Sequence, residues 1–114
     1  MLFTDEEREQ LLENGRQAHD TPGVIDHKPV VKLFTPDGNC TWLLSRLYPA
    51  DNTIAFGLCD LGMGFPELGD VSIAEITAVR GTAGLPVEKD LHFKADKLVS
   101  EYATIAHQHQ RIVT

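Results

Sequence analysis

The sequence predicts an α+β fold, a small antiparallel β-meander of three to five strands flanked by an N-terminal and a C-terminal helix. Three observations lead there. A capping signal opens the chain at Thr4, and three β-rich runs separated by turn residues fill positions 30–60. An amphipathic period then closes the chain near residues 97–110.

Thr4 followed by Asp5, Glu6 and Glu7 has the capping-box form, and acids in a first turn complement the positive end of the helix dipole. Leu11 and Leu12 supply the apolar patch of this helix, and Gly15 reads as its stop. Residues 16–28, with Thr-Pro-Gly at 21–23, read as a loop. The period then changes. Strands are predicted at 30–35, 40–48 and 53–60, joined by the turns Pro-Asp-Gly-Asn and Pro-Ala-Asp-Asn. In the middle strand Thr41, Leu43, Ser45 and Leu47 alternate with Trp42, Leu44, Arg46 and Tyr48, so both faces of the sheet carry large side chains. Residues 61–70 read as an exposed Gly-rich loop, and 71–80 as a strand passing into a short helix. Asp96 is the expected cap of the last helix, whose apolar face is expected to run through Leu98, Tyr102, Ile105, Ala106 and His109.

A chain of 114 residues with 42% hydrophobic and 24% charged side chains is expected to form a single domain over residues 1–114. No apolar run reaches the roughly 18–20 residues of a membrane span. The acidic start "MLFTDEEREQ" is unlike a secretory signal, so a cytoplasmic protein without membrane contact is expected. Cys40 and Cys59 are then expected as small, unbonded core thiols on neighbouring strands.

The formal charge is −7, and it is unevenly placed. Residues 1–70 hold 12 acids against 5 bases, and residues 71–114 hold 5 of each. Between Arg46 and Arg80 there is no Lys or Arg, while Asp51, Asp60, Glu67, Asp70 and Glu75 all fall there. Such a field opposes direct contact with a phosphate backbone and suits a partner protein with a basic surface. No cofactor is expected, because the Gly-rich segment has neither a P-loop nor a dinucleotide-binding pattern.

Histidines raise a metal-site question. His107 and His109 lie two apart on a predicted helix, about 200° around its axis, and cannot share an ion. Asp90 and His92 would share a face of an extended segment, so they are the metal candidates, with Glu67 or His27 as a third ligand. A metal-assisted hydrolase or nuclease built on Glu67, Arg80, Glu88, Asp90 and His92 is therefore the competing function. In "RGTAGLPVEKDLHF", Gly81, Gly84 and Pro86 read as turn chemistry, while Arg80, Glu88 and Asp90 read as charges pinning the turn to the sheet with Glu67.

Three stretches resemble a bacterial family of unknown function, the family numbered 2958. Phe34, Thr35, Pro36, Asp37 and Trp42 match its first motif, and Pro66 to Gly69 its second. Arg80, Gly81, Gly84, Leu85, Pro86, Glu88, Asp90 and Phe93 match its third. The likeness covers about residues 29–94 and leaves the C-terminal helix outside. It brings no activity. It implies a small protein of plasmids and other mobile elements, and so a binder of a host or defence complex that handles nucleic acid.

Overall fold

The computed structural model describes residues 2–21 and 26–114. The expected α+β fold is present. In chain order the elements are α1 (Asp5–Asp20), β1 (Val31–Phe34), β2 (Thr41–Leu47), β3 (Ile54–Asp60), β4 (Glu67–Ser72), α2 (Ile73–Ala78), β5 (Glu88–Lys89) and α3 (Val99–His109). The strands form one antiparallel sheet in the order β4-β3-β2-β1-β5.

Helices cover both faces. Leu11 of α1 and Ile76 of α2 join Val31, Leu33, Trp42, Leu44, Leu47 and Ala55 in a core on one face. On the other face Val99, Tyr102, Ala103 and Ala106 of α3 pack on Leu43 and Leu58. Each buried Leu of these layers contributes about 1.5–3 kcal/mol relative to an exposed one.

The capping box at Thr4 forms as its residues require. Thr4 Oγ1 accepts from Glu7 N at 3.1 Å, and Glu7 Oε1 accepts from Thr4 N at 2.8 Å. Gly15 does not stop α1, which runs on to Asp20. It is instead the point where the helix crosses β2, and a Cβ there would stand 1.8 Å from Leu47 O. The Thr-Pro-Gly turn expected at 21–23 falls mostly outside the described residues.

The alternation expected for β2 breaks at Ser45. The register passes from Leu44↔Gly57 to Arg46↔Phe56, so Ser45 is an extra residue in a β-bulge. Leu44 and Leu47 consequently face the same core, and Arg46 is left on the α3 face, 4.2 Å above the Phe56 ring. Asn14 Nδ2 of α1 donates to the Ser45 carbonyl at 2.9 Å, which satisfies a backbone acceptor at the bulge.

The last helix is rotated from expectation. Its buried stripe is Val99, Tyr102, Ala103 and Ala106, while His109 is exposed. Asp96 is not its cap. That carboxylate accepts from Tyr102 OH at 3.0 Å, and Leu98 N at the helix start donates to Glu101 Oε1 at 2.9 Å.

Candidate functional site

Residues 67–70, expected in a loop, form most of β4, and β4 is a sheet edge. Tyr48 N donates to Ile54 O at 3.1 Å, and Ile73 N donates to Thr53 O at 2.9 Å. The backbone groups of Ile54 therefore turn toward β2, and those of Ala55, Gly57 and Cys59 toward β4. Opposite them, Val71, Gly69 and Glu67 bond inward. The N–H and C=O groups of Leu68 and Asp70 point out of the sheet.

The five acids expected as a partner-binding surface divide. Asp60 is 4% exposed, and it accepts from Gly62 N at 2.8 Å and Ile112 N at 3.0 Å. It ties the C-terminal segment to the end of β3, so its assignment to a contact surface is corrected. Asp51 is exposed but sits in the β2–β3 turn, where its carboxylate accepts from Thr53 N and Thr53 Oγ1. Those bonds hold it below the usual carboxylate range. Asp70 turns its carboxylate to Tyr48 on the α3 face, while Glu67 and Glu75 stand on the α2 face, and all three border a groove of about 350 Å³ beside β4 and α2. Its apolar lining includes Trp42, Cys59, Val71, Ile76 and Val79.

Asp70 accepts from Tyr48 OH at 2.5 Å. Burial, with that neighbouring carboxylate, pushes the Tyr48 phenol up, so it remains a donor. Glu67 and Glu75 are exposed and carry no side-chain ion pair among the described residues. Burial also raises the Cys59 thiol to about 11, with the Asp70 charge adding to the effect.

The same edge holds a feature that sequence reasoning missed. Leu61, Met63, Phe65 and Leu68 are 52%, 69%, 78% and 40% exposed. Scattered single exposures are ordinary, but here four fall within eight residues, in the β3–β4 connection and at the start of β4. The signal was legible as L-G-M-G-F, apolar side chains set between glycines in a stretch read as solvent-facing.

Two of the three segments that carried the family resemblance meet at the β1–β2 turn. Asp37 Oδ2, in the β1–β2 turn, accepts from Ala83 N at 2.6 Å and Leu85 N at 3.3 Å. Thr82 Oγ1 donates to Asp37 O at 3.0 Å. Two of the motifs are thus one structural unit, the second turn folded on the first. Across residues 2–113 the sequence matches the family described as "Protein of unknown function (DUF2958)". The chain belongs to the DUF2958 family. The match takes in α1 and α3, so the C-terminal helix lies inside the family and not beyond it. No curated protein and no solved structure matches this DUF2958 chain.

The hydrolase residues do not converge on one site in the DUF2958 fold: Arg80 and Glu88 line one cavity, and Glu67, Asp90 and His92 do not line it. Glu67 is on β4 and Asp90 follows β5, at opposite edges of the sheet, four strand spacings or about 19 Å apart. Asp90 accepts from His92 N at 2.9 Å, so its carboxylate serves the backbone and not the imidazole. Its other oxygen lies 3.8 Å from Lys32 Nζ. His92 is exposed, and His27 lies elsewhere, with Nε2 3.0 Å from Gln17 Oε1. No group of three His, Cys, Asp or Glu side chains suited to a metal ion occurs among the described residues.

Arg80 pairs with none of the carboxylates expected beside it. Its guanidinium donates to Thr77 O at 2.9 Å and Val79 O at 2.8 Å, closing the end of α2. The turn at 80–86 is pinned by Asp37 and not by Glu88, Asp90 or Glu67. Arg80 also lines a wider cavity of about 800 Å³ with Arg8, Val87 and Leu91.

Proposed function

We propose that this DUF2958 protein is a non-catalytic binding module whose β4 edge receives a partner protein with a basic surface. The observation that carries this is the groove in which the exposed Glu67 and Glu75 stand beside Leu61 and Leu68, with Asp70 on the same strand and the exposed Met63 and Phe65 in the connection leading into it. Apolar side chains supply the area that binding buries, and surrounding carboxylates select the sign of the partner and steer its approach. The chain's net charge of −7 disfavours direct contact with nucleic acid. The mobile-element setting implied by the resemblance makes a host or defence complex that handles nucleic acid the natural partner. In this reading the DUF2958 protein covers a basic surface and inhibits the complex.

The test is affinity capture from the native host, followed by titration of the purified partner. Affinity should fall by roughly tenfold or more between low and physiological salt. The triple variant Glu67→Lys/Asp70→Lys/Glu75→Lys should lose binding. A partner held equally by wild type and triple variant, with no salt dependence, rules the reading out.

A further inference from the structure

We infer that the β4 edge takes its partner as an added strand, an extended cationic segment bonded to the outward backbone groups of Leu68 and Asp70. This deepens the acidic-edge reading and rests on it. The geometry has three parts. First, β4 is six residues long, and the alternation established by Tyr48–Ile54 and Ile73–Thr53 leaves the N–H and C=O groups of Leu68 and Asp70 aimed outward. A strand of that length spans about 20 Å, enough for a peptide of similar size to pair along it.

Second, side-chain direction on an incoming strand follows from the pleat. The residue opposite Gly69 shares a face with Glu67 and Val71, the face bearing α2 and the groove. A Cβ at Gly69 itself would meet nothing within 4 Å, so the approach there is open. A Lys or Arg entering at that point would lay its aliphatic stem along Val71, Ile76 and Val79. Its cation would then reach the two exposed carboxylates of the groove, Glu67 and Glu75.

Third, charge decides between occupants. A bare edge strand invites pairing with another copy of itself. Pairing of two β4 strands would join two edges that each carry Glu67 and Asp70, an approach of like charges. The charge that disfavours a second copy favours a basic strand.

The probe is an acetylated seven-residue peptide of alternating Val and Arg, compared with the same peptide carrying Glu in place of Arg. Binding is followed by NMR titration and amide hydrogen exchange on the full chain. The Arg peptide should bind, and exchange at the Leu68 and Asp70 amides should slow by roughly tenfold or more. Leu68→Pro removes an outward N–H without removing a ladder bond, and should abolish that binding. Leu68→Ala, which loses the same side chain but retains the N–H, should bind at least about tenfold more tightly than Leu68→Pro. An Arg peptide methylated on alternate backbone nitrogens tests the same bonds with the protein unchanged, and should not bind. Glu67→Gln/Glu75→Gln should weaken binding by about tenfold.

If Leu68→Pro and the methylated peptide bind as well as their parents, strand addition fails. The acidic-edge reading then survives only if Glu67→Gln/Glu75→Gln still weakens binding. If the Glu peptide binds as tightly as the Arg peptide, both fail. A concentration-dependent dimer with slowed exchange at Leu68 and Asp70 overturns the inference in favour of a second copy.

Discussion

Asp37 accepts a hydrogen bond from the Ala83 amide at 2.6 Å, joining the β1–β2 turn to a loop 46 positions later. Gly81 lies against the same carboxylate, and a Cβ there would stand 1.7 Å from Asp37 Oδ1. Any side chain at position 81 must displace the carboxylate from its donors. Asp37→Ala should cost about 1.5–3 kcal/mol, the usual loss for hydrogen bonds to a charged group. Gly81→Ala should be destabilising in the wild type and much less so on Asp37→Ala, because the clash and the bonds it breaks are then absent. Urea unfolding of the four species of this double-mutant cycle measures the coupling, and additive effects would refute it.

Gly15→Ala offers a test of sign. At an exposed mid-helix glycine the change stabilises by up to about 1 kcal/mol. Here the added methyl would meet the Leu47 backbone carbonyl at 1.8 Å, and backbone cannot rotate away. The substitution should therefore destabilise by about 1–3 kcal/mol. Thermal or urea unfolding reads the sign directly.

Lys89 and Glu7 link β5 to the start of α1 through an ion pair of 2.7 Å, with side chains 17% and 27% exposed. Burial pushes the Glu7 carboxyl up, but the bonds from Lys89 and Thr4 outweigh it and hold it below its usual range. A carboxyl lowered on folding contributes stability above its unfolded pKa, near 4.3, and loses it as pH falls through the folded value. Glu7→Gln keeps a capping-box acceptor but loses the ion pair, and should cost about 1 kcal/mol at neutral pH. That difference from wild type should shrink below about pH 4. A gap in urea midpoints that stays constant down to pH 3 would contradict the assignment.

Cys59 should be slow toward thiol reagents. With its thiol raised to about 11, roughly one molecule in a thousand is thiolate at pH 8. In a Cys40→Ser background, iodoacetamide labelling should be slow at pH 8 and accelerate about tenfold per pH unit up to pH 10. Rapid labelling at neutral pH would show that the groove floor is open to solvent. A peptide seated along β4 should slow the reaction further.

Much of the fold was legible because local signals and tertiary demands agree. The Thr4 capping box, the turns at 36–39 and 49–52, and a switch from strand to helix within 71–80 are written in adjacent residues. Where prediction failed, a distant partner had changed the meaning of a local signal. Gly15 looked like a helix stop, yet it marks a close approach to Leu47 O. Ser45 looked like one step of a regular alternation, until Phe56 and Gly57 fixed the register on either side of it. Asp96 had the chemistry of a cap, but Tyr102 OH took its carboxylate.

The candidate site follows the same division. By itself the sequence determined the acidic bias of residues 51–75, the absence of cations between Arg46 and Arg80, and the solvent-facing character of the Gly-rich segment. Those are sums over side chains and need no coordinates. Only the tertiary structure decided which acids could act together. It buried Asp60 against Ile112, kept Asp51 within its own turn, tied Asp70 to Tyr48, and left Glu67 and Glu75 beside α2. It also sent Glu67 and Asp90 to opposite edges, because strand order in a sheet is set by long-range pairing that no window of sequence contains. The physical reason is the same in each case. Composition fixes the charge a surface carries, while hydrogen-bonded register fixes which charges share a face.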